Sequence, residues 1–101
     1  MVHAVKVLSE YYQALITGEK TFEVREKDRP YQVGDILAVN EFIPAEQIVI
    51  GEGEDVPNFW RGTDDGYYTG FGRLFKITYI LDNPKFCRGG MVILGLKEVP
   101  I

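Results

Sequence analysis

The side chains best suited to chemistry lie close together between Gly18 and Arg25. Lys20, Glu23 and Arg25 supply an ammonium, a carboxylate and a guanidinium, and these three groups could converge on one pocket. Glu23 and Arg25 are two residues apart in a predicted strand, so they share a face, with their Cβ atoms about 7 Å apart. The alternative is a solvated surface ion pair worth about 0 to 1 kcal/mol, and the spacing by itself favours this alternative.

The elements that must position these groups are predicted from the apolar pattern. Alternating or continuous apolar residues predict strands at 3–7, 21–26, 36–42, 73–81 and 91–96, with a further strand-like piece at 47–50. Between the first two strands, Ser9 is the predicted N-cap of a helix, and Gly18 is the predicted left-handed residue at its end. Five or six strands and one N-terminal helix predict an α+β fold, a small mixed β-barrel flanked by the helix.

Strict alternation assigns faces to two of these strands. In the strand at 21–26, Phe22 and Val24 lie on an apolar face, opposite the charged face that carries Glu23. In the strand at 73–81, Arg73 and Tyr79 share one face and Lys76 lies on the other, so Arg73 and Lys76 cannot both reach one cleft.

Length and composition indicate one soluble domain that spans residues 1–101. The chain is 46% hydrophobic and 26% charged, and it has no apolar run long enough to cross a membrane. Cys87 and His3 are the only residues of their kinds, so no internal disulfide and no structural zinc site is expected. We therefore expect a cytoplasmic protein without a metal or other cofactor.

The segment at about 43–66 breaks the apolar pattern and is predicted to be an acidic loop insertion. The formal charge of the whole chain is -4, but this segment holds most of the acidic excess and the remainder is weakly basic. An acidic pI therefore does not exclude a nucleic-acid partner for the barrel. The acidic segment also suggests another function class, a protein-interaction or regulatory module in which this loop binds a basic partner.

The string from Gly18 to Arg25 resembles the Gly-x-Lys-x-x-Glu-x-Arg motif of ASCH domains, which belong to the PUA-like superfamily. The segments at 31–37, 68–70, 76–81 and 91–96 are similar to those of a small bacterial and phage branch, the DUF3850 family. The resemblance covers nearly the whole chain except the acidic segment. It implies a PUA-like β-barrel with a cleft that binds RNA or a nucleotide-like small molecule.

The resemblance also implies which side chains contact the ligand. Lys20 would place a point charge near phosphate, Arg25 would bind phosphate or stack on a base, and Glu23 would orient Arg25 or accept a hydrogen bond from a base. From the residues themselves, Tyr68, just before Thr69 and Gly70, is the aromatic candidate for base stacking, and Arg73 is a further candidate cation.

An enzyme is the alternative that the same resemblance raises. Some small ASCH proteins are amidohydrolases that act on N4-acylated cytidine, with the motif lysine, a threonine three residues later and a distant glutamate. Here Lys20 matches the lysine, but Glu23 occupies the position of the threonine. A rearranged site of Lys20, Thr21 and Glu23 would need the hydroxyl and its base within about 3 Å. This departure favours binding over hydrolysis.

Overall fold

The computed structural model describes residues 1–45 and 65–100. One helix and five strands follow one another along the chain in this order: β1 (Val2–Leu8), α1 (Ser9–Thr17), β2 (Phe22–Glu26), β3 (Ile36–Pro44), β4 (Gly66–Leu81) and β5 (Met91–Glu98). The strand-like piece predicted at 47–50 lies outside the described residues.

The strands form one sheet in the order β1-β3-β4-β5-β2, which leaves β1 and β2 at its two edges. β1 runs parallel to β3, and the other neighbouring strands are antiparallel. The sheet curls until the edges face each other, and two arginines bridge them: Nη1 of Arg25 donates to the carbonyl oxygen of Lys6 over 3.0 Å, and Nη1 of Arg29 donates to that of Ala4 over 2.7 Å. The predicted α+β, barrel-like fold is confirmed, as a half-barrel closed by side chains.

The inner face of the curled sheet holds the hydrophobic core. Alternate residues of β1, β3 and β5 point inward and are buried, and α1 adds Tyr12 and Leu15 from the open side. Leu37, Val39, Ile77 and Leu94 are fully buried at its centre. Burial of a side chain of this size contributes about 1.5 to 3 kcal/mol, so this core is the main source of stability.

The C-terminal end of α1 agrees with the sequence prediction, and the N-terminal end does not. Gly18 ends the helix in the left-handed conformation, with φ of 81° and its N–H bonded to the carbonyl of Leu15, as predicted. At the other end Leu8 is the N-cap and Ser9 is already the first helical residue. Ser9 was predicted as the cap, but its hydroxyl donates instead to the carboxylate of Glu41 on β3.

In β2 the alternation is as predicted, but the charged face is the buried one. Glu23 is 5% exposed, whereas Phe22 and Val24 are 44% and 45% exposed. Burial of the charged face is tolerated because β2 is an edge strand. An inward carboxylate there can pair with cations in the gap between the two edges, which offsets its desolvation cost.

β4 is longer than predicted and contains an irregularity. It begins at Gly66, where φ is 146° and a Cβ would lie 2.1 Å from the carbonyl oxygen of Ile43, so only glycine fits. A register shift against β5 falls between Ile77 and Tyr79. It turns Tyr79 outward, 64% exposed, and lets Ile80 pack against the core. The expectation that Tyr79 shares a face with Arg73 is therefore wrong, because a bulge breaks the two-residue period.

Candidate ligand-binding site

A pocket of about 520 Å³ lies where the two edges of the sheet approach each other. β1 contributes residues 6–8 to its wall, α1 contributes Tyr11, and the turn and strand after the helix contribute Lys20 and residues 22–25. In the described part of the chain, long side chains join the two edges here, and the pocket lies between those edges.

Glu23 is the central charged group of this pocket. Its side chain is 7% exposed and accepts a hydrogen bond from Nζ of Lys20 at one carboxylate oxygen. Nη1 of Arg25 lies 3.5 Å from the other oxygen. A buried carboxylate needs such partners, since desolvation of an unpaired charge costs several kcal/mol. These three groups, which the ASCH resemblance assigns to one cleft, therefore form one network around a buried carboxylate.

Lys20 and Arg25 also contact other parts of the wall. The ammonium of Lys20 lies 5.3 Å from the ring centroids of both Tyr11 and Phe22, which is within cation–π range. Both interactions of Arg25 within the described chain use Nη1. The rest of its guanidinium has no partner among the described residues and keeps donors for a ligand.

The pocket carries a positive excess although the chain is acidic. Its charged lining residues are the cations Lys6, Lys20 and Arg25 against the single carboxylate of Glu23. The Phe22 and Tyr11 rings and the aliphatic residues of β1 and β2 form the rest. Convergent charges on an apolar wall are typical of a site for an anionic ligand with a flat apolar part.

The structure places the other candidate residues elsewhere. Thr21 follows Lys20 but is exposed and is not among the residues that line the pocket. Tyr68 lies on β4, is 54% exposed and packs edge-on against Phe42 at 5.1 Å. Arg73 pairs with Glu98 over 2.7 Å, which raises the pKa of the guanidinium. Neither Tyr68 nor Arg73 lines the pocket.

A second buried carboxylate, Glu41, was not singled out from the sequence. It is 5% exposed and accepts hydrogen bonds from the hydroxyls of Ser9 and Thr69, each over 2.8 Å, and from the amide of Gln13 over 2.9 Å. Burial raises the pKa of Glu41, but the hydrogen bonds from Gln13, Thr69 and Ser9 outweigh it, and the net pKa is lowered. The alternation of β3 could have indicated this burial, because it places Glu41 on the same face as the buried Leu37 and Val39.

Two further features bear on the class of site. Across residues 1–45 and 65–100, no three histidine, cysteine, aspartate or glutamate side chains are grouped as metal ligands would be. The only described helix, α1, is too short to cross a membrane.

The fold and the site together define a small α+β half-barrel with a charged pocket at its closing edges. Comparison with known families gives a match over residues 2–96 to a domain of unknown function, DUF3850. The chain belongs to the DUF3850 family.

A curated relative is an uncharacterized 12.9 kDa protein in the GpA 3′ region of Escherichia phage P2. It is 38% identical over 42 residues. The match covers 42% of this chain and 38% of the phage protein.

Proposed function

We propose that this chain binds RNA or a nucleotide-like ligand in the pocket between β1 and β2, through Lys20, Glu23 and Arg25. The single observation that carries the proposal is the network of these three side chains on the wall of one pocket. The resemblance of residues 18–25 to the ASCH motif supports the same class of ligand.

The size and lining of the pocket suit one nucleotide. Its volume of about 520 Å³ lies within the range of about 300 to 1,000 Å³ for small-molecule sites. Tyr11 and Phe22 offer ring surfaces for a base, since stacking contributes about 1 to 3 kcal/mol per base. Lys20 and Arg25 can both bind phosphate, as a point charge and as a fork respectively.

In this proposal Glu23 holds the two cations in place before the ligand arrives. Its carboxylate contacts both Lys20 and Arg25, so neither long side chain has to be ordered at the moment of binding. A phosphate that enters the pocket takes over part of this charge pairing. Preorganisation of this kind lowers the entropic cost of binding.

The amidohydrolase alternative has weaker support. A hydrolase built on Lys20, Thr21 and Glu23 requires a base close to the threonine hydroxyl. Lys20 is bonded to Glu23, and the side chain of Thr21 has no hydrogen bond to any described residue. Turnover of N4-acylcytidine that is lost in Lys20→Ala would replace the binding proposal. The other alternative is a protein partner on the acidic loop at about 43–66, and residues 46–64 of that loop lie outside the described part of the chain.

The test compares two arginines that do the same structural work. Arg25 and Arg29 each bridge to the backbone of β1, but only Arg25 lines the pocket. We expect Arg25→Ala to weaken the binding of a nucleoside monophosphate about tenfold or more, as measured by calorimetric titration over a panel of the four common nucleotides. The variant also flattens the salt dependence of binding, because one phosphate contact is lost.

Arg29→Ala is the matched control and keeps the wild-type affinity. Equal losses in the two variants would show that closure of the half-barrel, rather than a ligand contact, accounts for the effect. Binding of every nucleotide at wild-type strength in Arg25→Ala would overturn the assignment of the pocket.

A further inference from the structure

The outer face of the sheet carries two aromatic side chains on either side of a glycine. Phe22 on β2 is paired with Gly95 on β5, and Gly95 is paired with Tyr79 on β4. Leu94 and Leu96 are buried, so Gly95 lies on the opposite, outer face between them. The two rings therefore flank a position without a side chain.

This notch suits a planar ring. Its floor is formed by Gly95 together with Oγ1 of Thr78 and Cβ of Tyr79, each of which would lie 3.3 Å from a Cβ at Gly95. Stacked aromatic rings prefer centroid separations of about 4.5 to 7 Å, so a base that enters above this floor can stack on the exposed rings beside it. Phe22 and Tyr79 are 44% and 64% exposed, so their rings are accessible.

Two lysines follow the notch along the same face. Lys76 on β4 and Lys97 on β5 are direct cross-strand partners, and both are exposed. Neither forms an ion pair with a carboxylate of the described residues. Like charges directly opposite each other are destabilising, and an anion bound between them would remove that cost. Lys97 is two residues from Gly95, about 7 Å along the strand.

Phe22 connects this face to the pocket. It lines the pocket at the β2 edge and is also the first ring of the notch. An oligonucleotide whose terminal nucleotide occupies the pocket would pass over Phe22 onto the outer face. There it would meet the notch and then the pair of lysines. Stacking surfaces that alternate with cations are how proteins bind single-stranded nucleic acid.

We propose that the outer face formed by Phe22, Tyr79, Gly95, Lys76 and Lys97 binds a single-stranded oligonucleotide, with a base above Gly95 and a phosphate at the lysine pair. This inference rests on the proposed function, because one end of the same oligonucleotide occupies the pocket. It assigns a ligand several nucleotides long rather than a mononucleotide.

The experiment measures fluorescence anisotropy with a labelled mixed-sequence RNA of about 12 nucleotides and with DNA of the same sequence, a length within the range of known single-strand sites. We expect Tyr79→Ala to weaken oligonucleotide binding about 5- to 150-fold, the range for loss of one stacked base. Tyr79→Phe keeps the wild-type affinity, because stacking needs the ring and not the hydroxyl. Binding of RNA or of DNA supports the proposal, and binding of neither overturns it.

The lysine pair is tested through salt dependence. Removal of two phosphate contacts in the double variant Lys76→Gln, Lys97→Gln lowers the slope of log K against log salt by about 1.4 for a single strand. Phe71→Ala and Lys85→Gln are controls that remove an exposed aromatic residue and an exposed lysine outside this face. Both keep the wild-type affinity and slope. Phe71 is about 25 Å from Tyr79 along β4.

Two comparisons separate this inference from the proposed function. Tyr79→Ala leaves mononucleotide binding unchanged if the notch is a distinct contact, and equal losses for mononucleotide and oligonucleotide would overturn the inference. If Arg25→Ala changes neither ligand while Tyr79→Ala still weakens the oligonucleotide, the pocket assignment fails and the outer face stands. A dimer in solution that Tyr79→Ala dissociates, without oligonucleotide binding, would assign this face to a second copy and overturn the inference.

Discussion

Glu23 and Glu41 are both 5% exposed, yet their carboxylates are stabilised in different ways. Glu23 lies at the closing edge of the half-barrel and is paired with two cations, Lys20 and Arg25. Glu41 lies in the C-terminal half of β3 and accepts hydrogen bonds from three neutral donors, two on α1 and one on β4. One carboxylate therefore lies among long charged side chains at a pocket, and the other lies among uncharged polar side chains where α1, β3 and β4 meet.

Under the proposed function, Glu23 is the buried charge that serves a ligand, and Glu41 is the buried charge that serves the fold. The neutral donors of Glu41 connect β3 with α1 and β4, so they fix where the helix begins on the sheet. The carboxylate also lies at the N-terminus of α1, where a negative charge is favourable to the helix dipole. The cations of Glu23 line a pocket and can exchange part of their pairing with an incoming anion. We therefore expect changes at Glu41 to affect stability and changes at Glu23 to affect binding.

The largest expected effect is that of Glu41→Ala. This change leaves the half-buried hydroxyls of Ser9 and Thr69 and the exposed amide of Gln13 without their acceptor, and we expect the free energy of unfolding to fall by about 2 kcal/mol. Urea denaturation followed by circular dichroism measures the loss. Glu41→Gln keeps the size and one acceptor oxygen and should lose about half as much. A loss below about 1 kcal/mol in Glu41→Ala would show that Glu41 is no more important to the fold than an exposed carboxylate.

The second effect is acid destabilisation through the same group. The pKa of Glu41 in the folded chain lies below its ordinary value of 4.5, so the unfolded chain binds the proton more readily. Its contribution is fully present above about pH 4.5 and is lost as the pH falls from there through the folded pKa. Asp35 acts in the same direction, because the hydrogen bond with His3 lowers its pKa.

The measurement is the urea midpoint between pH 6 and pH 3. We expect a smaller acid-induced decrease in Glu41→Gln than in the wild type, since the variant has no proton to take up at this position. Glu19→Gln, at an exposed turn, is the control and keeps the wild-type profile. A profile for Glu41→Gln that is as steep as that of the wild type would contradict this role.

The smallest effects come from removing one donor at each carboxylate, and they separate the two sites most sharply. Gln13→Leu takes one donor from Glu41, and we expect a stability loss of about 1 kcal/mol with unchanged nucleotide affinity. Lys20→Met takes one cation from the buried Glu23, and we expect a stability loss of about 1 kcal/mol or more, limited by the remaining Arg25, with clearly weaker nucleotide binding. The opposite pattern, in which Gln13→Leu weakens binding and Lys20→Met does not, would reverse the assignment of the two carboxylates.

The strands and helix could be predicted because their signals are local. The alternation in β1, β3 and β5, and the glycine at position 18, act over a few residues, and the structure confirms the elements there. The predicted start of β4 was late because glycines at 66, 70 and 72 hide the alternation, while pairing with β3 supplies the hydrogen bonds that extend the strand. The faces beyond Ile77 were wrong because one bulge reverses them.

The candidate site was predictable in part for the same reason. Lys20, Glu23 and Arg25 are neighbours in sequence, and the structure brings them together on one pocket wall. The partners of Glu41 come from α1 and β4, which lie 28 to 32 residues away, so no local pattern could reveal them. The notch at Gly95 likewise needs the register of three strands.

The sequence by itself determined the order of strands and helix, the alternation within each strand and the grouping of charges between Gly18 and Arg25, because these depend on neighbouring residues and on periods of 2 and 3.6. Only the tertiary structure decided which face of β2 is buried, where the half-barrel closes and which donors meet Glu41. These three features depend on contacts between residues that are distant in the chain. The placement of β2 at the edge opposite β1 turns its charged face inward, where a buried charge requires partners. The pocket lies between these two edges for that reason.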